Sequence, residues 1–419
     1  MDNEMSVPIA GGQTELSVRN MLFSGKVLAS FPDYVKAIVS VKKSCAVANF
    51  KSGGINEEKL KLISSACDSI VAGKHLNLFP VDVYSGGGGV AINMNTNEAV
   101  AAVAGNGISP TDDVNMSQST VDACSTGLRL ALYRMTLLME ETLSELVAAL
   151  FSKGRDFAEI NTIARTCWQD GMRVSAGALF TATASALKRQ IDLLEHYREQ
   201  LKKVNLGWTV IGTGTGAGDK YRSHILAALR EVTGIDFGWR DDKCDLSQYP
   251  DDIAAVSSAV RRIAEIVSKF AKDLRLLSSG PEAGLGELTL PETQAGSSFF
   301  PGKVNPVMAE TFMQCAMLVG GNDNVVQQAL GMGEVHLNIW EPMMGFLVME
   351  NITMIINAAG SFTEKCVKGI RINREVCESH AQSKMPLIID GKERYGYAYL
   401  AGRIKKEGID AVVKSLQQK

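Results

Sequence analysis

The 419-residue sequence lacks the patterns that mark several large classes of protein. Its five histidines and eight cysteines form neither a C-x-x-C pair nor an H-E-x-x-H run, so no metal site is predicted. Its glycine-rich stretches match neither G-x-G-x-x-G nor the phosphate-binding P-loop. Basic residues are dispersed and the net charge is -3, so the sequence predicts no general attraction to nucleic acid.

Long apolar runs are also missing. No stretch approaches the ~18 uninterrupted apolar residues of a membrane span. The first residues are acidic and polar, without the apolar core of a secretion signal. The cysteines are scattered over positions 45, 67, 124, 167, 244, 315, 366 and 377, which is typical of free thiols in a reducing compartment. We therefore expect a cytoplasmic protein that contacts no membrane.

Apolar residues recur at alternating spacings of three and four in three long stretches. The first runs from Leu132 to Leu150, the second from Leu187 to Leu201 and the third from Ile253 to Leu274. This spacing places the apolar side chains on one stripe of a helix, as at the seam of a helix bundle. Strand signals are sparse, so a mainly α fold is predicted. The predicted domains are residues 1–112, mostly helical; residues 113–370, a central bundle of long helices; and residues 371–419, a small helical domain.

Four polar segments interrupt the helical pattern. They are residues 93–98, 112–120, 165–170 and 296–306. All are rich in hydroxyl and amide side chains, which suit a small anion held by many hydrogen bonds and one cation. Such residues in front of a helix are equally typical of ordinary helix caps. Both interpretations stay open at this point.

The last of these segments, GSSFFPGKVNP, leads into a predicted helix over residues 307–318. Asn305 is predicted as the N-cap of that helix and Pro306 as its first residue. A helix N-terminus carries free N–H groups and a partial positive charge, and Lys303 lies beside it. The segment therefore predicts a site for a carboxylate or phosphate. The alternative is a capped helix after a glycine-rich surface loop.

Together, the segments resemble the aspartase/fumarase superfamily. Residues 296–306 are similar to its G-S-S-x-M-P-x-K-x-N-P signature, with Phe300 in place of Met. Residues 93–98 are similar to N-M-N-x-N-E, and residues 114–120 to V-N-x-S-Q-S-[ST]. The resemblance extends from about Gly11 to His380 and is closest to aspartate ammonia-lyases and class II fumarases. It implies a three-domain subunit in a homotetramer, with each active site shared by three subunits.

The resemblance also implies a reaction. Ser297 would be the general base that removes a proton next to a carboxylate, giving an aci-carboxylate intermediate and then fumarate. The substrate would be a small dicarboxylate, and neither a metal nor an organic cofactor would be required. The substrate-binding positions of the family correspond to Ser119, Thr120, Thr166, Ser298, Lys303 and Asn305.

Two departures fall where the family contacts the leaving group. The asparagine after S-[ST] is Val121 here, and the histidine of T-H-x-Q is Cys167. A site that lacks a polar partner discriminates against the group it would have held. We expect the leaving group to differ from plain ammonia, as in a substituted aspartate or succinate analogue. The alternatives are L-aspartate itself, a fumarate hydratase acting on malate, and a non-catalytic oligomeric scaffold.

Overall fold

The computed structural model describes residues 9–417, and α-helices account for most of them. The mainly α fold class is therefore confirmed. In chain order the helices are α1 (Gly12–Met21), α2 (Pro32–Lys51), α3 (Glu57–Val71), α4 (Val90–Ala104), α5 (Thr120–Asp156), α6 (Ala178–Gln200), α7 (Asp219–Thr233), α8 (Asp245–Gln248), α9 (Asp251–Leu277), α10 (Val307–Leu330), α11 (Glu341–Lys365), α12 (Arg374–Ala381), α13 (Lys384–Tyr395), α14 (Tyr397–Glu407) and α15 (Ile409–Gln417).

Strands are short and pair only in twos within the described residues. They are β1 (Asn161–Thr166), β2 (Gln169–Ser175), β3 (Lys203–Val204), β4 (Gly238–Trp239), β5 (Leu288–Thr289) and β6 (Arg371–Ile372). The pairs β1–β2 and β5–β6 are antiparallel, and β3–β4 is parallel. The β1–β2 hairpin was not predicted, because residues 165–170 were interpreted as a polar segment in front of a helix.

The three long helices predicted from apolar spacing are present as α5, α6 and α9, with 37, 23 and 27 residues. α10 continues well past the predicted 307–318, and α11 is a long helix that was not predicted. Among residues 9–417, the stretch Glu341–Gly369 is long and apolar enough to cross a membrane. Since 56% of its most apolar window is buried inside the protein, it is weak evidence for a membrane span.

The chain divides into two compact units. The first comprises the described residues up to Met139, Asp192–Arg261 and Leu318–Met354. The second comprises Glu140–Ile191, Arg262–Met317 and the residues from Ile355 onward. The three domains proposed from the sequence stay a prediction.

A charged group lies in the core of the first unit. Arg129 of α5 is fully buried, and its Nε is 2.7 Å from Asp252 Oδ2 of α9. Its Nη1 is 2.6 Å from Glu341 Oε1 of α11. Burial raises the pKa of the Glu341 carboxyl, against the effect of Arg129. The three side chains join three helices. Removing any one of them would leave a buried unpaired charge and would lower the free energy of unfolding by about 3–5 kcal/mol.

Aromatic side chains connect the core of the second unit. The ring of Phe180 lies 5.4 Å from that of Phe157 and 5.5 Å from that of Phe270. The ring of Phe362 lies 6.2 Å from Phe270 and 5.5 Å from Phe312. Most of these pairs meet edge to face, the arrangement that ring quadrupoles favour. The helices after α12 in the same unit have a small apolar cluster of their own, formed by Ile388, Leu400, Val412 and Val413.

Candidate functional site

Residues 296–305, here called the serine loop, lie in the connection between β5 and α10. Ser297 Oγ accepts hydrogen bonds from two backbone N–H groups, those of Phe299 at 3.0 Å and Phe300 at 3.1 Å. Ser297 is half-buried, whereas Ser298 is exposed. Two donors aimed at one hydroxyl oxygen stabilise negative charge on it, and this is what a serine must have before it can act as a base.

The ends of the serine loop are closed against each other. Asn305 Nδ2 donates to the carbonyl oxygen of Gly296 at 2.6 Å. A side chain at Gly296 would place its Cβ 1.9 Å from the carbonyl oxygen of Lys303, so glycine is required here. Gly302 has a φ of +82°, which also favours glycine. We call the approach of Gly296 to Lys303 and Asn305 the neck of the loop.

The prediction of Asn305 as a helix cap is wrong. α10 begins at Val307, and no described backbone N–H donates to the Asn305 side-chain oxygen. The amide is used at the neck of the loop instead, a contact nine residues back along the chain that a capping rule does not consider. One N–H of this amide and its oxygen remain for other partners.

Lys303 has an exposed side chain, although its backbone forms part of the neck of the serine loop. Its Nζ is 5.7 Å from the centre of the Phe300 ring, a distance at which a cation is attracted to an aromatic face. Phe300 and Phe299 are themselves exposed, by 56% and 80%, and their rings meet edge to face at 4.9 Å. The loop therefore presents one cation and two uncovered aromatic rings around Ser297.

Ser119 and Thr120 lie at the N-terminus of α5, in the first unit. Ser119 Oγ accepts from the N–H of Asp122 at 3.2 Å, and Asp122 Oδ1 accepts from the N–H of Ser119 at 2.8 Å. This reciprocal pair is a capping box, so the capping interpretation holds for Ser119. Thr120 Oγ1 accepts from Asn93 Nδ2 at 3.3 Å. Its hydroxyl proton is free to be donated elsewhere.

Asp122 is fully buried at this helix start. Its other oxygen, Oδ2, accepts from the N–H of Gly207 at 3.2 Å. Burial raises the pKa of the Asp122 carboxyl, while the bonds from Ser119 and Gly207 lower it. Val121, predicted in the leaving-group environment, is only 9% exposed. Its side chain therefore packs inside the first unit and is not exposed on the surface of that unit.

Thr166 and Cys167 lie at the tip of the β1–β2 hairpin in the second unit. Thr166 pairs with Gln169, so the connection is the two residues Cys167 and Trp168. Both have positive φ values, 53° and 62°. Two-residue hairpin turns need such values, but they are usually met by Asn and Gly. Backbone strain of this kind clusters at functional sites. Thr166, Cys167 and Trp168 are all exposed.

A charged cluster that sequence reasoning missed holds this hairpin close to its turn, because Arg165 directly precedes Thr166. Glu287 Oε1 accepts from Arg165 Nη2 at 2.5 Å and contacts His380 Nδ1 at 2.8 Å. The backbone oxygen of Glu287 accepts from the N–H of Asn373 at 2.9 Å. Glu287 is 122 positions from Arg165 and 93 positions from His380, so no local pattern could have indicated the cluster.

A cavity of about 490 Å³ lies beside the hairpin within the second unit. Its walls include Cys167 and Trp168 at the turn and Leu179 and Phe180 of α6. Most of the lining is apolar. Arg165, Lys269, Asp273 and Glu287 are the charged residues among those that line it. The cavity can take an apolar group of moderate size next to the turn.

The predicted site residues thus fall into separate groups. Ser119, Thr120 and Val121 belong to the first unit. The second unit contains Thr166, Cys167, Ser297, Ser298, Lys303 and Asn305. Within residues 9–417, no hydrogen bond or ion pair joins the hairpin turn to the serine loop. The segment at residues 93–98 is helical and buried inside α4, contrary to the prediction that it interrupts the helical pattern.

The chain is similar to known lyases over most of its length. A sequence profile of a family described as Lyase matches residues 8–321. The aspartate ammonia-lyase of Corynebacterium glutamicum is 38% identical over 389 residues, which cover 90% of this chain and 74% of that protein. The structure of a fumarate lyase:delta crystallin from Brucella melitensis superimposes with a TM-score of 0.93 at 37% identity, over 98% of this chain and 92% of the other. A class II fumarase from Schistosoma mansoni gives 0.92 at 25% identity, over 97% and 91%.

Proposed function

We propose, since this chain belongs to the aspartase/fumarase superfamily of lyases, that it forms fumarate from L-aspartate or a substituted aspartate by β-elimination. The chain is a carbon–nitrogen lyase, as its aspartate ammonia-lyase relatives indicate. The observation that supports the chemistry is the pair of N–H groups on Ser297 Oγ, at 3.0 and 3.1 Å.

In the proposed reaction Ser297 acts as the base. Its alkoxide, stabilised by the N–H groups of Phe299 and Phe300, takes the proton from the carbon next to one carboxylate. The electron pair of that C–H bond moves into the carboxylate and gives an aci-carboxylate with two negative charges. It then returns to form the double bond of fumarate as the C–N bond breaks and the amine leaves with its electrons. No metal or cofactor is required.

The binding groups divide between the two carboxylates of the substrate. We assign the reacting carboxylate to Ser119, Thr120 and Ser298. The hydroxyls of Thr120 and Ser298 can donate to developing charge, whereas that of Ser119 donates to Asp122 Oδ1 at 2.9 Å and would have to turn from it to the substrate. The other carboxylate is assigned to Lys303, whose ammonium is exposed, and to the N–H of Asn305 that the neck does not use. Thr166 lies at the hairpin tip with its hydroxyl exposed, and we assign it to the leaving amine.

A homotetramer would bring these groups together. Exposed apolar side chains on α10, namely Met317 (67% exposed), Leu318 (60%) and Val325 (40%), support an interface along that helix. Such a surface is costly in water and is typical of contacts between subunits. Each active site would take Ser119 and Thr120, the hairpin turn and the serine loop from three different subunits. We also place the protein in the cytoplasm, because its eight cysteines are free thiols.

The largely apolar cavity beside Cys167 favours a second candidate substrate. An amine that carries an apolar substituent could place that group in the 490 Å³ space next to the hairpin turn. Plain ammonia would leave the space unused. We therefore keep an N-substituted aspartate as the alternative to L-aspartate.

Ultraviolet absorbance of fumarate tests the proposal. L-aspartate, N-alkyl aspartates and malate are each supplied at millimolar concentration, and one of the first two is expected to give fumarate. Ser297→Ala should then lower kcat by at least about 1,000-fold, because the base is lost. Ser223→Ala, an exposed serine on α7, serves as the control and should match the wild type. A folded protein that releases no fumarate from any aspartate, or an active Ser297→Ala variant, would contradict the proposal.

A further inference from the structure

A fully buried lysine lies near the start of α5. Lys42 of α2 donates to three side-chain amide oxygens: Asn93 Oδ1 at 2.7 Å, Asn115 Oδ1 at 3.0 Å and Gln118 Oε1 at 2.9 Å. Among residues 9–417, no ion pair involves Lys42. A buried ammonium held only by neutral groups costs folding free energy, because nothing cancels its charge at contact distance. This arrangement suggests a task beyond packing.

The three amides are oriented by their bonds to Lys42. Gln118 Nε2 donates to the carbonyl oxygens of Val114 at 2.9 Å and Met116 at 3.1 Å, so its oxygen must face Lys42. Asn93, with its oxygen on Lys42, turns its Nδ2 toward Thr120 Oγ1 at 3.3 Å. The Thr120 hydroxyl therefore accepts from the protein and keeps its proton for another acceptor.

The positive charge of Lys42 also affects the electrostatics of the nearby start of α5. Burial lowers the pKa of the Lys42 ammonium, and the nearby Asp122 carboxylate acts against this shift. The three amide oxygens around Nζ can accept all three N–H groups of an ammonium. The N-terminus of the 37-residue α5 adds a partial positive charge at Ser119 and Thr120. Charges act over longer distances in a protein interior than in water. Both terms favour an anion at the Thr120 hydroxyl, whereas the Ser119 hydroxyl already donates to the Asp122 carboxylate at 2.9 Å.

We propose that Lys42 is a positioning residue of the lyase site, which orients Thr120 through Asn93 and whose buried charge stabilises the aci-carboxylate more than the substrate. The inference rests on the proposed function. Lys42 itself touches no reacting atom. Because the reacting carboxylate gains a second negative charge in the intermediate, a fixed positive charge nearby lowers the energy of that state more than that of the bound substrate.

Two ligands separate this role from a purely structural one. Succinate presents an ordinary carboxylate to these groups, while the nitronate form of 3-nitropropanoate presents a planar group with two formally negative oxygens, as the intermediate does. Their affinities are measured by calorimetry for the wild type, Lys42→Met and Lys43→Met, together with kcat for fumarate formation. Lys43 is the matched control, since it is the next residue of α2 and pairs with Asp68 at the surface at 2.6 Å.

Lys42→Met is expected to lower kcat and nitronate affinity roughly 10- to 100-fold, the size of effect that one buried charge supplies. Succinate affinity should fall much less, and Lys43→Met should match the wild type. Asn93→Asp is the second variant. Its carboxylate pairs with the Lys42 ammonium, so the fold is retained, yet the charge is cancelled and the N–H to Thr120 is lost. Asn93→Asp should show the same losses of kcat and nitronate affinity, and it tests the proposal even if Lys42→Met does not fold.

Equal losses of succinate and nitronate affinity would overturn the proposal, as would wild-type kcat in a folded Asn93→Asp variant. These outcomes differ from a failure of the proposed function. If the wild-type protein forms no fumarate, the lyase proposal is refuted and this inference with it. If the wild type is active and Lys42→Met behaves like Lys43→Met, only the role of Lys42 is refuted.

Discussion

Gly296→Ala tests whether the neck of the serine loop positions Ser297. The new Cβ would lie 1.9 Å from the carbonyl oxygen of Lys303, whereas such atoms essentially never approach within 3.0 Å. Because the obstacle is backbone, the neck must widen by at least about 1.1 Å, the difference between these distances. That movement breaks the 2.6 Å bond from Asn305 Nδ2 to Gly296. Displacing a reacting group by about 1 Å can cost on the order of 100-fold in rate.

We therefore expect kcat to fall about 100-fold in initial-rate measurements of fumarate absorbance. Stability should fall by only about 1 kcal/mol, the worth of one hydrogen bond in an exposed loop. Two variants provide the comparison. Gly302→Ala meets open space and should show only the backbone strain of about 1–2 kcal/mol that a positive φ imposes on alanine. Gly402→Ala, in the exposed α14, should behave as the wild type.

The steric reasoning is wrong if Gly296→Ala keeps the wild-type kcat. It is also wrong if Gly302→Ala loses as much activity as Gly296→Ala, since the loop would then be sensitive to any added side chain. Circular dichroism melts distinguish both results from general unfolding, because the serine loop lies outside the buried core of the second unit.

The remaining predictions concern pH and the leaving group. Burial alone would raise the pKa of Asp82, but bonds from the N–H groups of Tyr84 and Ser24 outweigh it and lower the pKa below the ordinary value of 3.8. Ionised Asp82 therefore stabilises the fold above pH 3.8, and this stabilisation is lost as pH falls through the lowered value. Asp82→Asn should cost about 1–3 kcal/mol near pH 7 in thermal melts, with a difference that shrinks below pH 3.8; a constant difference would contradict this. Cys167→His should raise activity on L-aspartate without loss of stability, because histidine tolerates a positive φ better than most residues. Val121→Asn should instead lower stability by about 1–3 kcal/mol, since it buries an amide in the first unit. Unchanged substrate preference in Cys167→His would show that the turn does not select the leaving group.

Much of the fold could be predicted because it depends on local spacing. The apolar residues of α5, α6 and α9 repeat every three or four positions. This repeat follows from the period of the α-helix, so it can be recognised in the sequence without knowing any distant contact. The neighbourhood of Ser297 could be indicated for a similar reason. Its glycines, proline and lysine lie within eleven residues, and the close approach at Gly296 depends only on that short segment.

Distant contacts account for the predictions that failed. Residues 93–98 look like a polar loop, yet they form part of α4 because their side chains find buried partners elsewhere. Asn93 meets Lys42, and Glu98 accepts from the N–H of Thr14 at 2.8 Å. Asn305 looks like a cap, yet its amide closes the neck of the serine loop. The β1–β2 hairpin is held close to its turn by Glu287, which pairs with Arg165 and with His380 and lies far along the chain from the hairpin.

The amino-acid sequence by itself determined the long helices α5, α6 and α9, the lyase signature at residues 296–306 and the residue types available for catalysis. Only the tertiary structure decided which polar groups pair. Burying an amide or an ammonium is tolerable when a hydrogen-bond partner reaches it. The partners of Lys42 are 51, 73 and 76 positions away. Periodicity and capping rules do not extend over such separations, whereas packing α2 against α4 and the start of α5 brings those groups within 3.0 Å.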